Sequence, residues 1–495
     1  MRVLFASSEI YPLAKTGGLA DVAGALPAAL ARAEVDVRLL MPAYRGVAAA
    51  AHAKAVANLG DPFGRGDTVI LEGHMPDSGL LVWLIENPAL YDRDGGPYGD
   101  TSGTDWPDND IRFALLGWVA AKLCQGNSPF AWRPDIVHAH DWQAGLAPAY
   151  LKAWGGPQPG VVFTIHNMAY QGVFAKELVP RLGLPWSFFS MDGFEYWDQL
   201  SYLKAGLVYS DKLTTVSPAY SHEIQEDPNG FGMEGLLSYR SRDLSGILNG
   251  ADYKIWDPSV DTHLVRNYGR ADVIEGKAAN KAALQRELDL PEIPDAPLLI
   301  VVSRLNDQKG MDLLLSIMPA VIEQGAQLAL LGTGDRKLED AFRSLAQTRP
   351  DQVAIRIGYS EETAHRLQAA ADMLLMPSRF EPCGLTQIYA LRYGTLPVVH
   401  RTGGLADTVT DASYDSLLHG TATGFVFDQA NASTFQWAVE RAIAVYRHPD
   451  QWRKIQQRAM QTEFDWDQAA ARYIELYRGL RPIGTGGKVG AYAQV

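Results

Sequence analysis

Cysteine is nearly absent. Cys124 and Cys383 are the only two in 495 residues, too few for a disulfide framework and in keeping with a reducing compartment. No uncharged run reaches the length of a membrane span, and the chain opens on the strand-like Arg2-Val3-Leu4-Phe5-Ala6 with no cationic segment leading into an apolar one. The expectation is a cytoplasmic protein without membrane attachment. A surplus of positive charge is also missing. The formal net charge of −13 argues against non-specific binding to nucleic acid or an anionic membrane. It leaves room for a neutral ligand, or for an anion met by a few focused cations.

What the chain does have is a repeated hexapeptide, Thr-Gly-Gly-Leu-Ala-Asp, at Thr16–Asp21 and Thr402–Asp407. Paired glycines opening a helix leave backbone N–H groups unpaired where the helix dipole adds partial positive charge. Each copy therefore reads as a turn able to hold a phosphate or a sugar hydroxyl, with a plain tight turn as the competing reading. One copy near each end predicts two lobes facing a shared cleft.

A chain of this length needs more than one core. Hydrophobic residues make up 47% of it and charged residues 20%, as in ordinary globular proteins. Near-continuous apolar runs recur at Val3–Ala6, Val37–Met41, Leu80–Ile85, Ile136–Ala139, Val161–Ile165 and Leu213–Val216. They return at Leu298–Val302, Leu328–Leu331, Ala354–Ile357, Met373–Met376 and Leu396–Val399. Such runs fit parallel strands buried on both faces, and helix-period segments such as Leu19–Ala33, Ile111–Leu123, Leu313–Glu323 and Glu361–Ala370 lie between them. The fold class is thus α/β, with two doubly wound Rossmann-like domains. The first is expected over 1–248. Asn249-Gly250 and Asp257-Pro258 mark a hinge over 249–261. The second domain covers 262–460, a C-terminal helix 461–480, and a disordered tail 481–495.

Ligands of open parallel sheets sit beyond the carboxyl ends of strands, and four motifs fall at such junctions. Lys15-Thr16-Gly17-Gly18 follows the first strand. It has neither the P-loop spacing nor G-x-G-x-x-G, which argues against a standard dinucleotide cofactor. Arg304 and Lys309, five residues apart after Leu298–Val302, can converge on one diphosphate. A unit-charge pair at ~4 Å and an effective dielectric of about 20 is worth roughly 4 kcal/mol before desolvation. In Pro377–Gln387, Pro382 and Gly384 set a sharp turn that exposes the amides of Cys383, Gly384 and Leu385, with Glu381 placed to accept from sugar hydroxyls. With no sequence cue for a nearby base, Cys383 reads as a packed thiol and not as a nucleophile. The fourth motif, His138-Ala139-His140-Asp141-Trp142, precedes Thr164-Ile165-His166-Asn167. No third His or Cys cluster completes a metal site there. It reads as a polar wall ending in Trp142, which is either a stacking surface for a sugar or a core residue. The pairs Asp92/Asp94 and Asp465/Asp467 do not read as metal sites either.

Together KTGGLADV, HAHDW, FTIHN, SRLNDQKG, PSRFEPCGLTQ and RTGGLADT, in that order from Lys15 to Thr408, resemble the bacterial glycogen synthases and their starch synthase relatives. The resemblance implies the GT-B fold of two Rossmann-like domains about a deep cleft, with the acceptor on the first domain and the nucleotide sugar on the second. It implies a retaining transfer of glucose from ADP-glucose to an α-1,4-glucan such as glycogen, with no catalytic metal and no cofactor. By position, Arg304 and Lys309 would hold the donor phosphates with Lys15 and the Gly17 and Gly18 amides. Glu381 and the turn Cys383, Gly384, Leu385 and Thr386 would hold the glucose, with His166 and Asn249 on its other side. Tyr359 would carry the adenine, while Tyr98, Asp141, Trp142 and Asn167 would face the acceptor. The helix near Asp467–Tyr477 would return to the first domain. Two rivals remain: a pyridoxal-phosphate glycan phosphorylase, which needs a Schiff-base lysine, and a non-catalytic glucan-binding protein.

Overall fold

The computed structural model describes residues 1–480; the stretch 481–495, read as a disordered tail, lies outside the described residues. The chain divides into two compact units. One comprises Met1–Val216, Ser221–Ile247 and the C-terminal segment from Trp466; the other comprises Ser217–Tyr220 and Leu248–Asp465.

The first unit is built on a nine-stranded sheet. Its core runs in parallel from Leu244–Gly246 through Lys212–Thr215, Gly160–Ile165, Ile136–His140, Arg2–Ala6 and Asp36–Pro42 to Leu81–Glu86. The central strands are apolar on both faces because helices cover both: Val3, Leu4, Phe5 and Ala6 are all fully buried. Two further strands, Val69–His74 and Lys54–Asn58, extend the sheet antiparallel. Neither follows from the apolar-run reading, and Lys54–Asn58 is mostly exposed. A small antiparallel sheet of Val173–Ala175, Gln199–Ser201 and Glu195–Tyr196 was also unforeseen. The helix Trp466–Arg478 packs along Gly18–Arg32, and Arg32 bonds Asp467 at 2.5 Å.

The second unit carries a six-stranded, all-parallel sheet in the order Val353–Ile357, Gln327–Gly332, Leu298–Val302, Met373–Met376, Leu396–His400, Phe425–Phe427. Its central strands are again buried except at their last residues, against helices such as Met311–Glu323 and Ala432–Tyr446. The segment read as a hinge is tied into this unit. Trp256 stacks on His365 at 3.7 Å and on Tyr389 at 4.0 Å between ring centroids. Asp261 accepts from Tyr393 Oη at 2.5 Å and lies 2.7 Å from His365 Nδ1. Burial raises the Asp261 pKa, but these hydrogen bonds outweigh it and hold the carboxyl below the usual range.

Candidate active site

In the first unit the chemistry-bearing residues gather beyond the strands Arg2–Ala6, Ile136–His140 and Gly160–Ile165. The helix Gly18–Arg32 opens at Gly17 with extended backbone and no side-chain cap. Its place is taken by Glu9, a buried residue that no motif had flagged. One Glu9 carboxylate oxygen accepts the N–H of Thr16 and, at 3.3 Å, that of Gly17. The other accepts the Tyr98 hydroxyl at 2.8 Å, and Ser8 Oγ lies 2.8 Å from that hydroxyl. Burial raises the Glu9 pKa, partly offset by these donors.

This corrects the expectation that the Gly17 amide awaits a phosphate, because a carboxylate of the protein already holds it. Gly18, the first helical residue, has no intrahelical acceptor for its N–H and stands exposed. Lys15 Nζ bonds Asp21 Oδ1, the acid that ends the adjoining hexapeptide, at 2.7 Å. Tyr98, expected to face an acceptor, has its hydroxyl turned to Glu9 and Ser8.

The HAHDW wall also differs from expectation. His138 and His140 are wholly buried because they alternate with Val137 and Ala139 on a central strand whose two faces are both covered. His138 lies 2.7 Å from the Tyr477 hydroxyl and 2.6 Å from Thr164 Oγ1. His140 Nδ1 lies 3.0 Å from His166 Nε2. Burial lowers the pKa of all three imidazoles, that of His166 to about 3. Asp141 sits at the strand end with a left-handed backbone, φ 53°. Its Oδ1 accepts the His166 N–H at 2.7 Å, while burial pushes its carboxyl up to about 7.

Trp142 is half-buried. Phe113 meets it edge-on at 5.0 Å, Phe174 and Tyr202 flank it, and Gly172 lies so close that a Cβ there would come within 2.3 Å of the ring. Most of the indole is therefore packing surface. Asn167 Oδ1 accepts the Ala169 N–H at 3.0 Å, a local turn bond.

The acid pairs weighed as metal ligands are occupied by cations. Asp92 and Asp94 both bond Arg45, and Asp467 bonds Arg32. Among the described residues no group of three or more His, Cys, Asp or Glu is placed to hold a metal ion.

In the second unit two strand-to-helix loops knit together. Gly310 takes a left-handed turn before Met311–Glu323, φ 67°, against the Pro377 carbonyl, which would lie 2.1 Å from a Cβ. Arg379 reaches back to Asp312 at 2.7 Å and donates its N–H to the Gln308 carbonyl at 2.8 Å. This docking brings Lys309 Nζ to 2.5 Å from Glu381 Oε2, and Ser378 Oγ donates to the same oxygen at 3.0 Å. Glu381 is buried, while Arg304, on the same loop as Lys309, is exposed.

Beyond Glu381 the chain turns at Gly384, φ 71°. Gln387 Nε2 donates to the carbonyls of Cys383 and Gly384 at 3.0 and 2.9 Å. Across planar trans peptides the N–H groups of Gly384 and Leu385 then point away from Gln387, just ahead of the helix Thr386–Tyr393. Cys383 is a packed thiol, pushed by burial up to about 12. Asn249 offsets part of that rise, and Asn249 Oδ1 is buried without a partner among the described residues. Tyr359 is 73% exposed, its hydroxyl donating to Glu361 at 3.1 Å.

The second hexapeptide does not form the open turn expected of it. Gly403 and Gly404 are buried, and the Gly404 N–H donates to the carbonyls of Glu381 and Pro382 at 3.1 and 3.2 Å. It braces the Glu381 loop.

Sequence and structure comparisons agree with this anatomy. A family model described as starch synthase catalytic domain matches residues 2–239, and one described as glycosyl transferases group 1 matches residues 287–459. A glycogen synthase of Paramagnetospirillum magneticum is 60% identical over 489 residues, covering 98% of this chain and 99% of its own length. The catalytic domain of starch synthase IV from Arabidopsis thaliana, solved with ADP and acarbose, superposes with a TM-score of 0.87 at 31% identity. It covers 97% of this chain and 98% of that one. A sucrose-phosphate synthase from Thermosynechococcus elongatus shares the fold at a TM-score of 0.56 and 18% identity, over 97% of this chain and 98% of its own. No helix among the described residues is long and apolar enough to cross a membrane. With two Rossmann-like units, paired strand-end loops and relatives matched end to end, the chain belongs to the glycogen and starch synthase family of glucosyltransferases, of GT-B fold.

Proposed function

We propose that this chain transfers glucose from ADP-glucose to the non-reducing end of an α-1,4-glucan, in the cytoplasm, with retention of configuration and without a catalytic metal. The observation that carries the reading is the Lys309–Glu381–Ser378 cluster, where a cation from one strand-end loop meets a buried carboxylate from the next. Arg304 and Lys309 supply positive charge for the departing diphosphate, assisted by Lys15 and the Gly18 amide. Glu381 accepts from glucose hydroxyls, and the amides of Cys383, Gly384, Leu385 and Thr386 donate to its oxygens. The orphaned Asn249 Oδ1 supports a hydroxyl contact there. The exposed ring of Tyr359 serves the adenine. His166, with Asp141 and Asn167 about it, borders the reacting centre, while Tyr98 and the open part of Trp142 lie towards the glucan. The Arabidopsis relative bound to ADP and acarbose supports both a nucleotide and a glucan-like ligand.

In the chemical step the C1–O bond to the diphosphate breaks, its electron pair staying on phosphate. The acceptor hydroxyl oxygen bonds C1 from the same face, and its proton passes to the leaving phosphate oxygen. Glu381 and Asp141 both hold protein groups, at Lys309 and at the His166 amide, which favours holding roles for them over covalent attack.

The test is a radiolabelled transfer assay on glycogen with ADP-glucose and UDP-glucose in parallel. Faster incorporation from ADP-glucose, into product digestible by an α-1,4-glucan hydrolase and undiminished by a chelator, is expected. Preference for UDP-glucose, loss of activity with chelator, or a trapped glucosyl-enzyme would each overturn the corresponding part.

A further inference from the structure

We propose that His140 is a positioning residue which fixes the tautomer of His166, donating its Nδ1–H to His166 Nε2 so that His166 is protonated on Nδ1 and meets the substrate as a donor. The inference rests on the placement of His166 at the reacting centre given above, but its physical part stands on His140 alone.

His140 is fully buried on the central strand Ile136–His140, beside Phe5 at 4.0 Å and His138 at 4.1 Å between ring centroids. Its Nδ1 lies 3.0 Å from His166 Nε2, and its Nε2 has no partner among the described residues. Burial lowers the pKa of both rings, and among the described residues no carboxylate bonds to either, so each carries one proton near neutrality. Two arrangements satisfy the single hydrogen bond. If His166 Nε2–H donates, the proton of His140 must sit on Nε2, and an N–H is then stranded in the core. If His140 Nδ1–H donates, only a bare lone pair is stranded there. Buried donors without acceptors are the rarer defect in proteins, so the second arrangement prevails.

Asp141 holds the other end of the same residue, accepting the His166 backbone N–H at 2.7 Å. His166 is thereby fixed in position by one neighbour and in protonation pattern by the other. The register of the sheet makes this possible. His140 pairs with Thr164, and His166 follows two residues later, at the end of the adjoining strand.

The direct test needs no substitution in the core. Nitrogen-15 spectra of the full chain labelled at histidine, with His166 assigned by loss of its signals in His166→Gln, should show Nδ1 protonated and Nε2 bare at neutral pH. The reverse pattern would overturn the inference whatever the activity. The kinetic test compares His140→Phe with His140→Asn, whose amide nitrogen can occupy the place of Nδ1–H. His140→Phe should lower kcat roughly tenfold or more with little change in donor KM, and His140→Asn should recover most of it. Equal kcat in the two variants would count against the donor role. If His166→Ala keeps normal turnover while the nitrogen-15 pattern is as expected, the tautomer assignment survives and the placement of His166 at the reacting centre fails.

Discussion

At Thr16–Asp21 the two glycines stand in solvent, with no atom within 4 Å of where a Cβ would be. At Thr402–Asp407 the same two glycines are buried, with the carbonyl oxygens of Glu381 and Cys383 only 2.0 Å from those positions. One hexapeptide thus serves opposite ends. In the first copy glycine leaves room for something to approach, and a side chain, Glu9, holds the backbone amides. In the second, glycine allows backbone to lie on backbone, and the Gly404 amide bonds the Glu381 loop directly. Identical local sequence fixes a turn into a helix in both places, while the surroundings decide what the glycines are for.

The sharpest way to break this contrast is Gly404→Ala. A methyl group there meets backbone that cannot give way, so a loss of about 3 kcal/mol in unfolding free energy is expected by denaturant titration. A loss below roughly 0.5 kcal/mol would mean that the second copy is as open as the first. Lys309→Ala comes next. It leaves the bracing glycines intact and removes the cation on Glu381, so transfer should fall at least roughly tenfold, with some loss of stability because a buried carboxylate is left without its cation. Normal turnover and donor KM in that variant would remove Lys309 from the site.

Ionisation should also separate the two units. The first relies on carboxylates to hold backbone amides, and the Asp141 carboxyl is raised by burial to about 7. A carboxyl raised in the folded state contributes stability that is whole below its unfolded pKa of about 4 and is lost as pH rises through about 7. Unfolding free energy should therefore decline across that window, and Asp141→Asn should flatten the decline. An unchanged slope in the variant would show that Asp141 is not the titrating group. The smallest effect is expected for Gly18→Ala. With open space around the added methyl, stability should stay within roughly 0.5 kcal/mol of the parent, while donor KM rises if the Gly18 amide meets phosphate. A variant with both stability and donor KM unaltered would leave the first copy a mere turn.

Much of the fold was legible because both sheets are doubly covered, which writes each central strand as an apolar run. The edge strand Lys54–Asn58 escaped because it is short and mostly exposed, and the small sheet because its strands have two or three residues. Lys309 and Glu381 each stand out from their place after a strand, and the structure brings their side chains together. Glu9 follows a strand in the same way, but no glycine or cation marked it. The pairing of His140 with His166 depends on sheet register, which joins residues 26 apart in sequence. The HAHDW histidines were misjudged because a strand buried on both faces has no outward wall to offer.

The brace at Gly403 and Gly404 also limits how this enzyme can diversify. Because hydrogen is the only substituent that fits between those backbones, the height of the Glu381 loop cannot be tuned by trading one side chain for another. If Glu381 holds the glucose as proposed, a relative that came to accept a different hexose would have to change flanking positions, Asn249 and Cys383–Thr386 among them, over an unaltered peptide floor.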